Sequence, residues 1–241
     1  MASYLIQVRI MDPMKRDIRA ITYSTRRNCN LTGPKPVPHI TIVSNPTPFN
    51  IKRDEGRLIA DFNDVCSKYP AMEFQFNGFG SFPDNGVAII NITPPHQMRE
   101  LRWDLICRIG KYCVLDSRLD GTQDYYIPHV TIANKLNQNQ FEKVMNFLRR
   151  QQPPRKHYYL ARATLLKEGK ILREYDFFLR RSLTRSQALS PVIVAKTRAR
   201  ITQTIAGKIQ VKEVSRAIRI SSNPFRRLGI AIRKFLRLFR D

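Results

Sequence analysis

The order of apolar and polar positions divides the first three-quarters of the chain into short strands and amphipathic helices. Tyr4 to Ile10 partly alternates and carries β-branched residues, which predicts a strand. Met14 to Arg27 follows as a helix, opened by Asp12-Pro13 at its cap and first position. Val37 to Val43 reads as a second strand. From Lys52 to Tyr69, the residues Leu58, Ile59, Phe62, Val65 and Cys66 recur at three- and four-residue steps, the stripe of a helix with one buried face, and Pro70 stops it. Met72 to Phe79 and Val87 to Ile92 flank the turn-rich Phe82-Pro83-Asp84-Asn85-Gly86 and form a hairpin-like pair. A helix from about Pro95 to Cys113, a strand over Tyr125 to Ala133 and a helix over Asn139 to Arg150 come next. Two strands, Tyr158 to Leu166 and Ile171 to Leu179, joined by Glu168-Gly169-Lys170, complete the run.

One segment repeats inside that order. Val37-Pro38-His39-Ile40-Thr41-Ile42 returns as Ile127-Pro128-His129-Val130-Thr131-Ile132, each followed by a helix and a strand pair. A repeated strand-helix-strand-strand unit predicts an α+β fold of two pseudo-symmetric lobes, with antiparallel sheets facing a central cleft and helices outside.

Composition sets the class. Of 241 residues, 42% are hydrophobic and 25% charged, which fits a globular chain and argues against a disordered, collagen-like or transmembrane one. The formal net charge of +23 favours acidic ligands and is unevenly spread. Up to Leu183 there are 28 basic and 17 acidic residues; beyond it, 14 and 2. That shift predicts a domain boundary near Leu183, with one domain over 1–183 and a basic extension over 184–241. The first ten residues, broken by Gln7 and Arg9, read as neither signal peptide nor membrane anchor, and a cytoplasmic location is expected. Cys29, Cys66, Cys107 and Cys113 form no C-x-x-C pair and are expected as reduced thiols.

The repeat carries the chemistry. With 4 His and 13 Thr in the chain, His-x-Thr is expected roughly 0.2 times by chance, and it occurs twice in the same Pro-His-β-branched-Thr-Ile context. On a strand, His39 and Thr41 project from one face while Ile40 and Ile42 enter the core, and His129 and Thr131 repeat the arrangement. If the lobes face one another, two imidazoles and two hydroxyls converge. One neutral imidazole can then take a proton from an attacking oxygen while a protonated one supplies the leaving oxygen. The threonine hydroxyls can hold non-bridging phosphate oxygens. This is acid–base chemistry without metal or nucleotide cofactor. Neither histidine has a carboxylate or cysteine at ligand spacing. His96 and His157 read as surface residues.

The twin His-x-Thr pattern and the closing Leu172-Arg173-Glu174-Tyr175-Asp176-Phe177 strand resemble the 2H phosphoesterase superfamily, near its 2′-5′ RNA ligase and cyclic phosphodiesterase branch, over about residues 2 to 183. The resemblance implies hydrolysis of 2′,3′-cyclic phosphate at RNA ends or on nucleotides, and in some members reversible 2′-5′ joining. It implies that His39 and His129 are the acid–base pair, that Thr41 and Thr131 hold the phosphate, and that Tyr175 and Lys167 contact substrate. A binding module that keeps the cleft as a phosphate clamp, and a phosphodiesterase of small cyclic nucleotides, are the competing readings. In the extension, Asn223 and Pro224 open a basic amphipathic helix with Phe225, Leu228, Ile232, Phe235 and Phe239 on one face, suited to RNA, to an anionic membrane surface or to docking on the domain. Residues 199–220 suit a short hairpin or another helix.

Overall fold

The computed structural model describes residues 3–116, 120–122, 126–152 and 154–220, with side chains to residue 207. Its strands and helices follow the predicted order. The first strand, β1 (Tyr4–Arg9), buries Tyr4, Ile6 and Val8 and half-exposes the residues between them. Helix α1 (Met14–Cys29) follows and ends at Asn30 in the left-handed conformation. Then come β2 (His39–Ser44), the two-residue β3 (Thr47–Pro48) and α2 (Ile51–Ser67), which is capped by the Asn50 side chain on the Arg53 amide. The pair β4 (Met72–Phe82) and β5 (Val87–Thr93) turns over a short 3-10 segment, Pro83–Asn85. Helix α3 (His96–Ile109) and the two-residue β6 (Cys113–Val114) lead to β7 (His129–Ala133). Helix α4 (Gln138–Arg149) opens with a capping box between Asn137 and Gln140. The run closes with β8 (His157–Leu160), β9 (Arg162–Lys167), β10 (Lys170–Asp176), β11 (Arg181–Leu183), α5 (Arg185–Leu189) and α6 (Pro191–Ile220).

Two antiparallel sheets organise these elements. The first has the order β11-β10-β9-β1-β2 and the second β7-β5-β4-β8; β3 pairs with β6. Helices α2 and α3 pack together, α2 against β9 and β10 and α3 against β2, while α1 and α4 pack together, α1 against β7 and α4 against β5. The α+β class, with two antiparallel sheets and helices against them, is therefore as the repeat predicts.

Each sheet, however, draws strands from both halves of the chain rather than from one repeat unit. The cause is visible at Ala161. The expected single strand Tyr158 to Leu166 is two strands, because Tyr158 and Leu160 pair with β4 in the second sheet while Ala163 and Leu165 pair with β1 in the first. The buried apolar residues are even-numbered before the break, Tyr158 and Leu160, and odd-numbered after it, Ala163 and Leu165, so the alternation changes phase at Ala161; the four consecutive buried residues Arg162 to Leu165 hide that change in the sequence pattern. Within the described residues α6 is a helix throughout, and the amphipathic helix expected beyond Asn223 lies outside them. The first compact unit runs to Val194, so α5 and the start of α6 belong with it; a second begins at Ala195. All four cysteines are free thiols, three of them buried. No helix among the described residues is long and apolar enough to cross a membrane.

Candidate active site

The two repeated segments become β2 and β7, and both are edge strands: β2 of the first sheet and β7 of the second. The two edges pack against each other. Ile40 and Ile42 on β2, and Val130 and Ile132 on β7, are buried in the core. Because side chains alternate, His39 with Thr41 and His129 with Thr131 lie half-buried on the opposite faces of their strands.

Both rings are anchored in the same way. His39 Nδ1 is 2.8 Å from the Val37 carbonyl, and His129 Nδ1 is 2.8 Å from the Ile127 carbonyl. A carbonyl only accepts, so each Nδ1 carries the hydrogen and Nε2 is the acceptor nitrogen of each neutral ring. In both segments a proline separates the histidine from the carbonyl it uses, and the residue before a proline is held extended. The anchor is thus written locally, twice. Phe82 adds an edge-on contact to the His129 ring at 5.0 Å between centroids.

Electrostatics act on His129. Burial pushes the His129 pKa below the ordinary histidine value; the bond to the Ile127 carbonyl opposes this, and the nearby His39 charge adds to the lowering. The last contribution makes the two imidazoles electrostatic neighbours.

Residues outside the motifs hold them together, and sequence reasoning missed these. The Tyr126 hydroxyl donates to the Thr41 carbonyl at 2.9 Å, tying the approach to β7 onto the backbone of β2. The Arg102 guanidinium lies 4.8 Å from the Tyr126 ring and bonds Asp120 at 2.9 Å, while Asp120 accepts the Ser44 amide of β2 at 3.2 Å. Arg102 and Asp120 are both buried, and desolvation raises the Asp120 pKa against the pull of its arginine. Across the ladders, Arg9 stands opposite His39 and Asn91 opposite His129. Gly80 lets the Asn91 side chain lie close, since a Cβ there would meet its Oδ1 at 2.5 Å. The sequence signal for these neighbours is weak, because register between distant strands is set by the assembled sheet.

Tyr175 and Lys167, expected at the substrate, lie on the other face of the first sheet. Tyr175 is 4% exposed and packs edge-on to Phe177 at 5.2 Å. Lys167 pairs with Glu55 of α2 at 2.5 Å and lies 5.8 Å from the Tyr4 ring. Their register partners, Ala163 for Tyr175 and Tyr4 for Lys167, are core residues, whereas Thr164 and Leu166 point to the His39 side. One step of alternation separates the two outcomes. His96 and His157 sit exposed beside Glu100 and Glu73, at 3.3 and 3.2 Å. No group of three His, Cys, Asp or Glu among the described residues is arranged to hold a metal ion.

A family model described as the 2′-5′ RNA ligase superfamily matches residues 11–170. No curated protein matches the chain. Among solved structures, TT0787 of Thermus thermophilus superposes with a TM-score of 0.50 at 14% identity, over 73% of this chain and 97% of that one. A phosphoesterase gives 0.44 at 15% identity, over 76% and 92%. LigT of E. coli, complexed with 3′-AMP, gives 0.42 at 12% identity, over 75% and 91%. At such identities the first of these bears on the fold alone.

Proposed function

The chain belongs to the 2′-5′ RNA ligase superfamily of phosphoesterases, and on that premise we propose that it is a metal-independent RNA phosphodiesterase that opens 2′,3′-cyclic phosphate ends through His129 and His39. The observation that carries this reading is the identical anchoring of the two rings, which commits Nδ1 of each to a backbone carbonyl and leaves both Nε2 atoms for proton transfer.

The lowered pKa of His129 suits it to start as base. Its neutral Nε2 takes the proton of an attacking water as the water oxygen bonds to phosphorus. His39, with the substrate's negative charge beside it, holds a proton on Nε2 and passes it to the ribose oxygen as the P–O bond to that oxygen breaks. The product is a phosphomonoester, and the exchange leaves the two protonation states reversed. The Thr41 and Thr131 hydroxyls, on the same strand faces, donate to the non-bridging oxygens, where negative charge grows. A 5′ hydroxyl in place of water would form a 2′-5′ linkage by the same transfers, with the 3′ oxygen leaving.

Product analysis tests this. An RNA ending in 2′,3′-cyclic phosphate, incubated with the full chain and a chelator, should be converted to the terminal phosphomonoester; no conversion, or conversion that stops with the chelator, would overturn it. The pH profile provides a second check. A lowered pKa keeps His129 neutral to more acidic pH, so the acid limb of kcat/KM should have its midpoint below the ordinary histidine value of about 6.5. A limb at or above that value would place the base elsewhere.

A further inference from the structure

Beside His39, the face of the first sheet that carries Gln7, Thr164 and Leu166 opens into a cavity of about 820 Å³, and none of the described residues lining it carries a carboxylate. One wall is a face of α1, where Lys15, Arg19 and Tyr23 fall at four-residue steps; Lys35, from the segment leading into β2, lines it too. Among the described residues, Lys15, Arg19 and Lys35 have no acidic partner. Arg9, also in the lining, is held through Nη1 alone, by Glu174 at 2.9 Å and by the Ala188 carbonyl of α5 at 2.9 Å. Its Nε and Nη2 hydrogens have no partner among the described residues. On the same wall the Thr22 hydroxyl is buried without a hydrogen-bond partner among the described residues, in a residue only 7% exposed. Tyr23, by contrast, is 60% exposed.

Cations gathered around a concave space repel one another, and an anion relieves that repulsion while using donors that otherwise face water. The volume matches a nucleotide-sized ligand rather than a lone ion. We infer that this cavity is a second anion subsite, which receives a phosphate of the substrate other than the reacting one. The preferred substrate therefore carries at least two phosphates. The inference rests on the phosphodiesterase reading for the first phosphate and adds the second. Arg9 joins the two sites, since it lines the cavity and stands opposite His39 in the ladder. The second phosphate could be the neighbouring internucleotide phosphate of an oligoribonucleotide or a terminal phosphate on the same nucleoside. The exposed Tyr23 ring offers a stacking face to a base beside it.

The test compares three substrates in the full chain: a nucleoside 2′,3′-cyclic phosphate, the same compound with a 5′ phosphate, and a dinucleotide ending in the cyclic phosphate. The two substrates with an added phosphate should have a KM lower by about tenfold or more, the order of one charge-assisted contact set. Whichever of them is favoured identifies the source of the second phosphate. In a Lys15→Ala/Arg19→Ala/Lys35→Ala variant the preference should fall below about twofold, an effect of lost charge pairing rather than of fold. Arg19→Ala/Lys35→Ala, which touches only exposed side chains, is the second variant should the triple one unfold. No preference in the parent chain, or one that survives these substitutions, overturns the inference. A binding arm keeps the result independent of turnover: a 5′-phosphorylated deoxydinucleotide titrated into His39→Ala/His129→Ala protein, with and without the three substitutions. Binding that weakens with them, while the parent chain turns over none of the three cyclic-phosphate substrates, would leave the subsite standing and the phosphodiesterase reading overturned. Binding indifferent to them removes the subsite.

Discussion

Alanine in place of His129 should lower kcat on RNA ending in 2′,3′-cyclic phosphate by about a thousandfold, within the range of 10²–10⁴ for one positioned proton transfer. The substitution removes the only group on β7 with a free, titratable nitrogen at the strand face. Water cannot replace it, because Nε2 is aimed by the Nδ1 bond to Ile127. His39→Ala should cost a similar factor, and the double variant little more than either single one, as expected of two groups acting in one transfer. Thermal unfolding of each variant should stay close to that of the parent chain, because both rings are half-buried and their strands are held through Ile40, Ile42, Val130 and Ile132. Rapid-quench turnover alongside a thermal melt separates chemistry from fold. Activity within tenfold of the parent in either single variant would end the acid–base assignment.

Arg162→Ala should bring the largest loss of stability, about 3–5 kcal/mol, as befits removal of one partner from a buried ion cluster. Arg162 is fully buried, and its guanidinium binds Asp176 at 2.8 Å, Glu174 at 2.8 Å, the Ala188 carbonyl at 3.0 Å and the Ile193 carbonyl at 3.3 Å. Without it, two carboxylates that are themselves 0% exposed lose their shared cation. Arg9 would remain on Glu174, and the Thr164 hydroxyl would still donate to it at 2.8 Å; Asp176 would keep the Phe178 and Leu179 amides. These contacts soften the loss, but the guanidinium that bridges the two carboxylates is gone. In a domain of this size the loss corresponds to a fall of roughly 6–20 °C in Tm. Calorimetric unfolding of Arg162→Ala beside Arg162→Lys measures it, and the lysine variant should recover part of the difference. A fall below about 1 kcal/mol would mean that the cluster is not a buried ionic unit.

The same cluster explains why the first compact unit continues past the shift in charge. Composition changes near Leu183, yet Arg9 and Arg162 reach across to carbonyls at Ala188 and Ile193, so the unit extends to Val194. Charge counting sees that residues 184–194 stand at the start of a basic run. It does not see that their backbone oxygens satisfy buried arginines, because a carbonyl is present at every position and carries no sequence signal.

What the sequence settled by itself was local. Its periodicity placed the helices and most strands to within a few residues, and its repetition singled out His39, Thr41, His129 and Thr131, each histidine with the proline that leaves a carbonyl two residues back for Nδ1. Tertiary structure alone decided everything that depends on which strand meets which. It split Tyr158 to Leu166 between two sheets at Ala161, set the edges of β2 and β7 together, and brought Tyr126, Arg102 and Asp120 in to hold them. It also turned Tyr175 and Lys167 toward α2 and the core while Thr164 and Leu166 turned toward His39. Alternation tells which residues share a face of a strand; which face meets the cleft is fixed only by the non-local pairing that buries the other.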